Sequence, residues 1–238
     1  MQLHPHLDPE PFRVQFSRDG RVQIAPFLTD QAAQALREHL IGRDDWREVV
    51  NSGERPFEID RAGQKAMTAS ERAKLEQLVN AAARDGFQYR YETIRVPDMV
   101  SERRAQRNEL LTQFAELMCS APVLDLLRHV TGLSETSFVD AQATAYRIGD
   151  FLTSHDDAVG GKNRLAAYVL GLTAGWRAEW GGLLMFHDSA GDIERALTPR
   201  FNSLNIFAVP QLHSVSVVAP FAGQTRMSVT GWLRSATP

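Results

Sequence analysis

The run Tyr146-Arg-Ile-Gly-Asp-Phe-Leu-Thr-Ser-His155-Asp-Asp157 sets a histidine and a carboxylate two residues apart, and a second histidine, His213, follows His155 by 58 residues. Two histidines and one carboxylate are the donor set that holds non-haem Fe(II) on one face and leaves other positions open to a co-substrate and oxygen. The chemistry of such a site is oxygenation. Side chains at i and i+2 of a strand project to one side, so His155 and Asp157 are expected to aim together at one ion while Asp156 faces away. His213 must arrive from a distant strand. The β-branched and aromatic runs 201–209 and 212–218, separated by Pro210-Gln211, read as two adjacent strands, with His213 near the rim. Taken alone, a His-x-Asp is more often a surface charge or a satisfied hydrogen-bonding pair than a metal site, and a single His213 reads as well as a rim histidine with no ligand role.

A positive charge follows. Arg226 lies in Thr225-Arg-Met-Ser-Val-Thr-Gly-Trp-Leu233, where a period of two puts Arg226, Ser228, Thr230 and Trp232 on one face and Met227, Val229 and Gly231 on the other. An arginine on the inner face of a barrel is a buried charge in want of an anion, and its planar fork matches a carboxylate in bidentate fashion. A bound dicarboxylate would meet that need, with Ser228 and Tyr146 as further hydrogen-bond donors. The competing reading is a surface salt bridge, the commoner fate of a single arginine.

In order and spacing these residues resemble the Fe(II)- and 2-oxoglutarate-dependent dioxygenases, and more narrowly the branch that contains the prolyl 4-hydroxylases and their small microbial relatives. His155, Asp157, His213 and Arg226 fall on that family's His-x-Asp, distal histidine and distal arginine, and Tyr146 on its tyrosine ahead of the first ligand. Ala167-Tyr-Val-Leu-Gly-Leu-Thr173, Trp180-Gly-Gly-Leu-Leu-Met-Phe186, Pro199-Arg-Phe-Asn202 and Thr230-Gly-Trp232 resemble it too, so that the likeness covers about residues 140 to 234. Relatives commonly carry an acid after the Gly-Gly pair, where this chain has Leu183-Leu184. The resemblance implies an enzyme with Fe(II) on His155, Asp157 and His213, the co-substrate 2-oxoglutarate anchored by Arg226, Tyr146 and Ser228, and O2 as the second co-substrate. It implies hydroxylation of an unactivated C–H bond with release of succinate and CO2. The implied substrate is a prolyl residue of a peptide or protein, with free proline, another amino acid or a small metabolite as alternatives. Two other classes share part of this pattern: a non-catalytic, metal-binding, cupin-like protein, and a zinc hydrolase, for which no general base stands beside the histidines.

The elements that must position these residues are short strands. Runs at about 140–148, 153–158, 165–173, 182–187, 192–198, 203–209, 212–219 and 225–233 predict a mainly β fold, a jelly-roll of two facing sheets. The resemblance implies the same double-stranded β-helix, cupin-like in form. Residues 1–135 are expected to be a mixed α/β supporting region and 140–234 the catalytic core, within a single domain. In the first half, Asp19-Gly20 between Phe12-Arg-Val-Gln-Phe16 and Arg21-Val-Gln-Ile-Ala25 predicts a hairpin. Thr29 or Asp30 should cap a helix over 31–40, and Thr68-Ala-Ser-Glu71 is a capping-box pattern before 72–84. Further helices are expected over 101–119 and 122–130, and a strand over 87–96 whose Tyr89 and Tyr91 are expected in the core.

Length and charge fit. At 238 residues the chain can bury one sizeable core, and 43% hydrophobic with 23% charged residues is a folded rather than a disordered composition. A net charge of −3 offers no broad attraction to nucleic-acid backbones. No apolar run reaches membrane-spanning length, residues 1–12 lack the apolar stretch of a signal peptide, and a cytoplasmic setting is the expectation. Cys119, the sole cysteine, reads as a small buried hydrophobe. Gly160-Gly161 and Gly181-Gly182 read as turn glycines, and Trp176, Trp180 and Trp232 as packing anchors. The glycine-containing stretch 158–164 follows the first two ligands closely, and its Lys162 or Arg164 is a candidate substrate contact on a loop that could close over the site.

Overall fold

A computed structural model describes residues 1–53, 56–106 and 109–235. The first helix, α1 (Pro9–Asp19), replaces the expected hairpin. Asp8 caps it by accepting from the Glu10 N–H, Pro9 and Pro11 occupy its first turn, and Gly20 closes it at φ +64° with its N–H on the Phe16 carbonyl. Asp19-Gly20 is thus a helix stop, for which left-handed glycine is as apt as for a hairpin turn.

Strand β1 (Arg21–Ile24) and helix α2 (Asp30–Ile41) follow, the latter capped by Thr29 as expected. A hairpin of β2 (Arg47–Asn51) and β3 (Pro56–Ile59) was not anticipated, nor was the short α3 (Arg61–Ala66). Helix α4 (Ala69–Asp85) opens with the full Thr68–Glu71 capping box, and β4 (Tyr89–Arg95) comes next. The expected single helix over 101–119 is two, α5 (Val100–Ala105) and α6 (Leu110–Met118), with residues 107 and 108 of that prediction outside the described residues. Helix α7 (Ala121–Thr131) completes the first half.

The second half is strands: β5 (Phe138–Val139), β6 (Gln142–Tyr146), β7 (Phe151–His155), β8 (Arg164–Gly171), β9 (Leu184–His187), β10 (Ile193–Leu197), β11 (Ser203–Ala208), β12 (His213–Val215) and β13 (Arg226–Arg234). All pair antiparallel in the order β1-β11-β8-β13-β6-β4-β7-β12-β9-β10, with β2, β3 and β5 as side branches. The sheet curls until its ends approach: Arg21 of β1 lies 2.7 Å from Glu194 of β10 and stacks on Phe186 of β9. This mainly β, curled antiparallel sheet with helices on one side fits the expected jelly-roll.

The halves are not separate layers of support and catalysis. β4, from the first half, lies between β6 and β7 in the middle of the sheet. The helices cover the outer face as expected, where Leu36 and Leu40 of α2, Phe114 and Met118 of α6 and Leu127 of α7 pack on Ile24, Leu170, Ile206 and Val229. Burying each such leucine or phenylalanine contributes about 1.5–3 kcal/mol, which fixes the sheet's outer face and leaves its inner face to line a cavity. Among the described residues no single helix is long and apolar enough to cross a membrane; the apolar pair α6 and α7 is bent by 56° and belongs to this core.

Candidate metal and co-substrate site

The triad assembles. One nitrogen from each of His155 and His213 and one Asp157 carboxylate oxygen lie within 4.8 Å of one another, a group that could hold a metal ion. β12 pairs with β7 in a register that sets His213 opposite His155, and their ring centroids are 4.1 Å apart. Each Nδ1 lies on a backbone carbonyl, His155 at 3.0 Å from Thr153 O and His213 at 2.8 Å from Gln211 O. A carbonyl only accepts, so both Nδ1 atoms carry the proton and both Nε2 lone pairs remain for an ion. Those Nε2 atoms stand 3.5 Å from the two oxygens of Asp157.

Asp157 gets there by a different route from the expected strand period. β7 ends at His155, and Asp157 lies beyond it with φ +62°, a left-handed conformation that costs an L-residue about 1–2 kcal/mol and is tolerated best by Asn and Asp. The turn, rather than strand alternation, swings its carboxylate to the histidines. Asp156 accepts from the Ala158 N–H and takes no part in the cluster.

Burial penalises the Asp157 carboxylate, yet His155, His213 and the Trp232 indole outweigh it and hold its pKa below the ordinary value. Burial, with His155 nearby, pushes the His213 imidazole down to about 4. Near neutral pH the site therefore offers one anion and a neutral His213, the states a cation requires.

Arg226 opens β13 in register with Tyr146 of β6, and its guanidinium carbon lies 4.9 Å from the Tyr146 ring centroid. It is 4% exposed, its Nε has no hydrogen-bond partner, and no carboxylate pairs with it among the described residues. Gly182 lies beneath it at φ +60°, where an added Cβ would come 3.1 Å from Arg226 Cδ. The adjacent Gly181 backs on the Val217 carbonyl, so these two glycines do more than turn the chain. Ser228 is placed differently from expectation. Its hydroxyl is 2.8 Å from Thr144 Oγ1, and it is Thr144, not Ser228, that lines the cavity.

Triad and arginine share one cavity of about 770 Å³. One wall is an aromatic row that includes Tyr89 and Tyr91, the two tyrosines expected in the core. Phe87, just ahead of β4, and Tyr89 and Tyr91 on it all line the cavity, with ring centroids 5.6 and 5.5 Å apart in sequence, and Tyr91 stacks on Tyr146 at 5.2 Å. Phe87, half exposed at the mouth, is 5.4 Å from His155. The alternation of aromatics was visible in the sequence; what was missing was which face of β4 the helices leave uncovered. Opposite stands Trp232, with the Arg164 guanidinium 3.5 Å above its ring. Lys162 lines the rim, its carbonyl held by Arg234 Nε at 3.0 Å, so the 158–164 loop is tied down at its far end.

Comparison with known proteins agrees with this geometry. Residues 141–234 match the family model of the 2OG-Fe(II) oxygenase superfamily. The chain is 29% identical over 141 residues to prolyl 3-hydroxylase sudestada1 of Drosophila melanogaster, an alignment of 54% of this chain and 25% of that protein. The chain thus spans about a quarter of the length of that relative. Its fold is similar to a Pseudomonas putida prolyl-4-hydroxylase, at TM-score 0.60 and 18% identity over 95% of this chain and 98% of the other. It is also similar to a Trichoplax adhaerens prolyl hydroxylase solved with a hypoxia inducible factor oxygen degradation domain peptide fragment, at TM-score 0.57 and 14% identity over 95% and 89%. Residues 141–234 thus resemble the 2OG-Fe(II) oxygenase superfamily, whose cofactors are Fe(II), 2-oxoglutarate and O2, and the fold of the chain is similar to that of the prolyl hydroxylases.

Proposed function

We propose that this protein hydroxylates a prolyl residue of a peptide or protein, with 2-oxoglutarate converted to succinate and CO2. The observation that carries the co-substrate assignment is the buried guanidinium of Arg226, its Nε unbonded and with no carboxylate partner among the described residues, opening on the same cavity as the triad. An isolated buried charge costs several kcal/mol, and a dicarboxylate that reaches from the metal to Arg226 supplies the missing counter-charge. A metal-binding protein of cupin type, or a zinc hydrolase, has no use for such an arginine.

In this reading His155 and His213 present Nε2, and Asp157 a carboxylate oxygen, to Fe(II), leaving the other coordination positions to ligands from the cavity. Fe(II) held there would supply the activation of O2 at the expense of 2-oxoglutarate, with one oxygen atom accounted for in succinate and the other in the hydroxylated substrate. Arg226 fixes the distal carboxylate through its fork, and Tyr146, stacked beneath it, keeps the guanidinium in place. The aromatic row excludes water and offers flat apolar faces to a saturated ring, which supports a prolyl side chain over a charged one. Lys162 at the rim can meet the substrate's backbone carbonyls. The prolyl hydroxylase names carried by the relatives support the same substrate class.

Anaerobic visible absorption of metal-free protein titrated with Fe(II) and 2-oxoglutarate tests the assignment. A charge-transfer band requiring both additions, lost in His213→Ala and demanding far more co-substrate in Arg226→Ala, is the expected result. Folded, iron-loaded protein with no such band would sink it. For the substrate, proline-containing peptides should gain one oxygen by mass spectrometry on a prolyl ring, and the position on that ring follows from fragment spectra. Oxygen gained only by free amino acids would replace the peptide assignment.

A further inference from the structure

Asp157 stands outside regular strand structure at φ +62°, so the direction of its carboxylate is not set by the sheet. Side chains from β8 and β13 converge on it instead. Arg164 Nη1 donates to the Asp157 backbone carbonyl at 3.2 Å and lies 3.7 Å from its Oδ1. The same guanidinium is stacked 3.5 Å above the Trp232 ring. The Trp232 indole N–H is buried and makes no hydrogen bond among the described residues, so what Trp232 offers here is its ring.

The clamp is itself braced. The Trp232 backbone N–H donates to Asp140 Oδ1 at 2.7 Å, which fixes the strand on which the indole rides. Arg234 Nε donates to Lys162 O at 3.0 Å and the Ser235 N–H to Asn163 O at 3.2 Å, which fixes the chain just ahead of Arg164. A cation beside a metal ligand opposes metal binding by simple Coulomb repulsion. Its presence here, spread over an aromatic face and bonded to a backbone carbonyl, is explained by geometry rather than charge.

We infer that Arg164 and Trp232 are positioning residues that hold the Asp157 turn and aim its carboxylate at the metal, Arg164 through the Asp157 backbone carbonyl and Trp232 as the ring on which that guanidinium is stacked. The inference rests on the reading of His155, Asp157 and His213 as a metal site. It gives Arg164 a role that is complete before any substrate arrives, whereas a substrate contact would leave the substrate-free protein unaffected.

The test is Co(II) and Fe(II) affinity of the full chain, anaerobic and without substrate, with the Co(II) d–d spectrum recorded on the same samples. Arg164→Lys keeps the charge and loses the fork and the stack; Trp232→Phe leaves only a smaller ring under Arg164. Weakening of outer partners of metal ligands typically lowers metal affinity by about 10–100-fold, and that loss is expected for Arg164→Lys. Trp232→Phe should lose severalfold, and both variants should change the d–d band shape as the carboxylate turns. Circular dichroism and thermal melts confirm folding, and if Arg164→Lys proves unfolded, Trp232→Phe alone decides. Affinities within twofold of the parent protein with unchanged spectra would overturn the inference while the metal site itself stands. Parent protein that is folded and binds neither metal would overturn both.

Discussion

Arg226 and Tyr146 are partners in register across β13 and β6, and that pairing sets the guanidinium 4.9 Å from the phenol ring, with no carboxylate among the described residues to neutralise it. A protein that buries a charge this way is less stable empty than it could be, and the cost is recovered when an anion binds.

Arg226→Met should therefore separate stability from binding. The empty variant is expected to unfold about 1–3 kcal/mol harder than the parent, because an uncompensated buried charge is replaced by an apolar chain of similar length. Its 2-oxoglutarate affinity should fall by about 100-fold, the worth of a charge-assisted pair. Denaturant unfolding with and without 2-oxoglutarate reads both; a destabilised empty variant would show that the contact with Tyr146 outweighs the cost of burying the charge.

Among the acids beside His155, Asp157→Ala and Asp156→Ala should differ sharply. The first removes a donor from the cluster, and metal binding by equilibrium dialysis should fall by 100-fold or about that. The second removes only a turn contact to the Ala158 N–H and should move affinity by less than about threefold.

Gly182→Ala places a methyl 3.1 Å from Arg226 Cδ and puts a side chain on a left-handed backbone. The expected result is a rise of about 10-fold in the 2-oxoglutarate half-saturation with little change in metal affinity, because Arg226 shifts and the triad does not. Parallel titrations of metal and co-substrate check this, and equal losses in both would indicate a general disturbance.

Burial raises the Asp140 pKa to about 6, against the pull of the Trp232 N–H, Arg234 and Arg164 and with help from Asp98. The folded protein then binds this proton more tightly than the unfolded chain, so the group's stabilisation is present below about pH 4 and is lost as pH rises through 6. The loss is on the order of 2–3 kcal/mol. Asp140→Asn keeps an acceptor for Trp232 and should flatten the stability profile between pH 4 and 7 by that amount, measured by urea unfolding across the range.

Phe87→Ala and Tyr89→Ala test the wall of the cavity. Removing exposed or half-buried rings at the mouth should raise the peptide KM by about 10-fold or more while the 2-oxoglutarate KM moves less than twofold, since the row of stacked rings leads from either residue to Arg226 only by way of Tyr91 and Tyr146.

The sequence by itself determined the donors and the alternation that sorts β13 into a helix-facing side, Val229 and Leu233, and a cavity-facing side, Arg226, Thr230 and Trp232. Those are local properties: residue type, period two, and caps such as Thr29 and Thr68 whose hydrogen bonds close within a few residues. The tertiary structure decided what depends on a second chain segment. It turned Asp19-Gly20 into a helix stop, because Phe16 is buried against the core, and it bent Asp157 out of the strand. Inserting β4 between β6 and β7 made Tyr89 and Tyr91 a cavity wall, and pairing the Ser228 hydroxyl with Thr144 took it off the cavity lining. A period of two marks which residues share a face, but only the element packed on the other side determines which face is the core and which is the site.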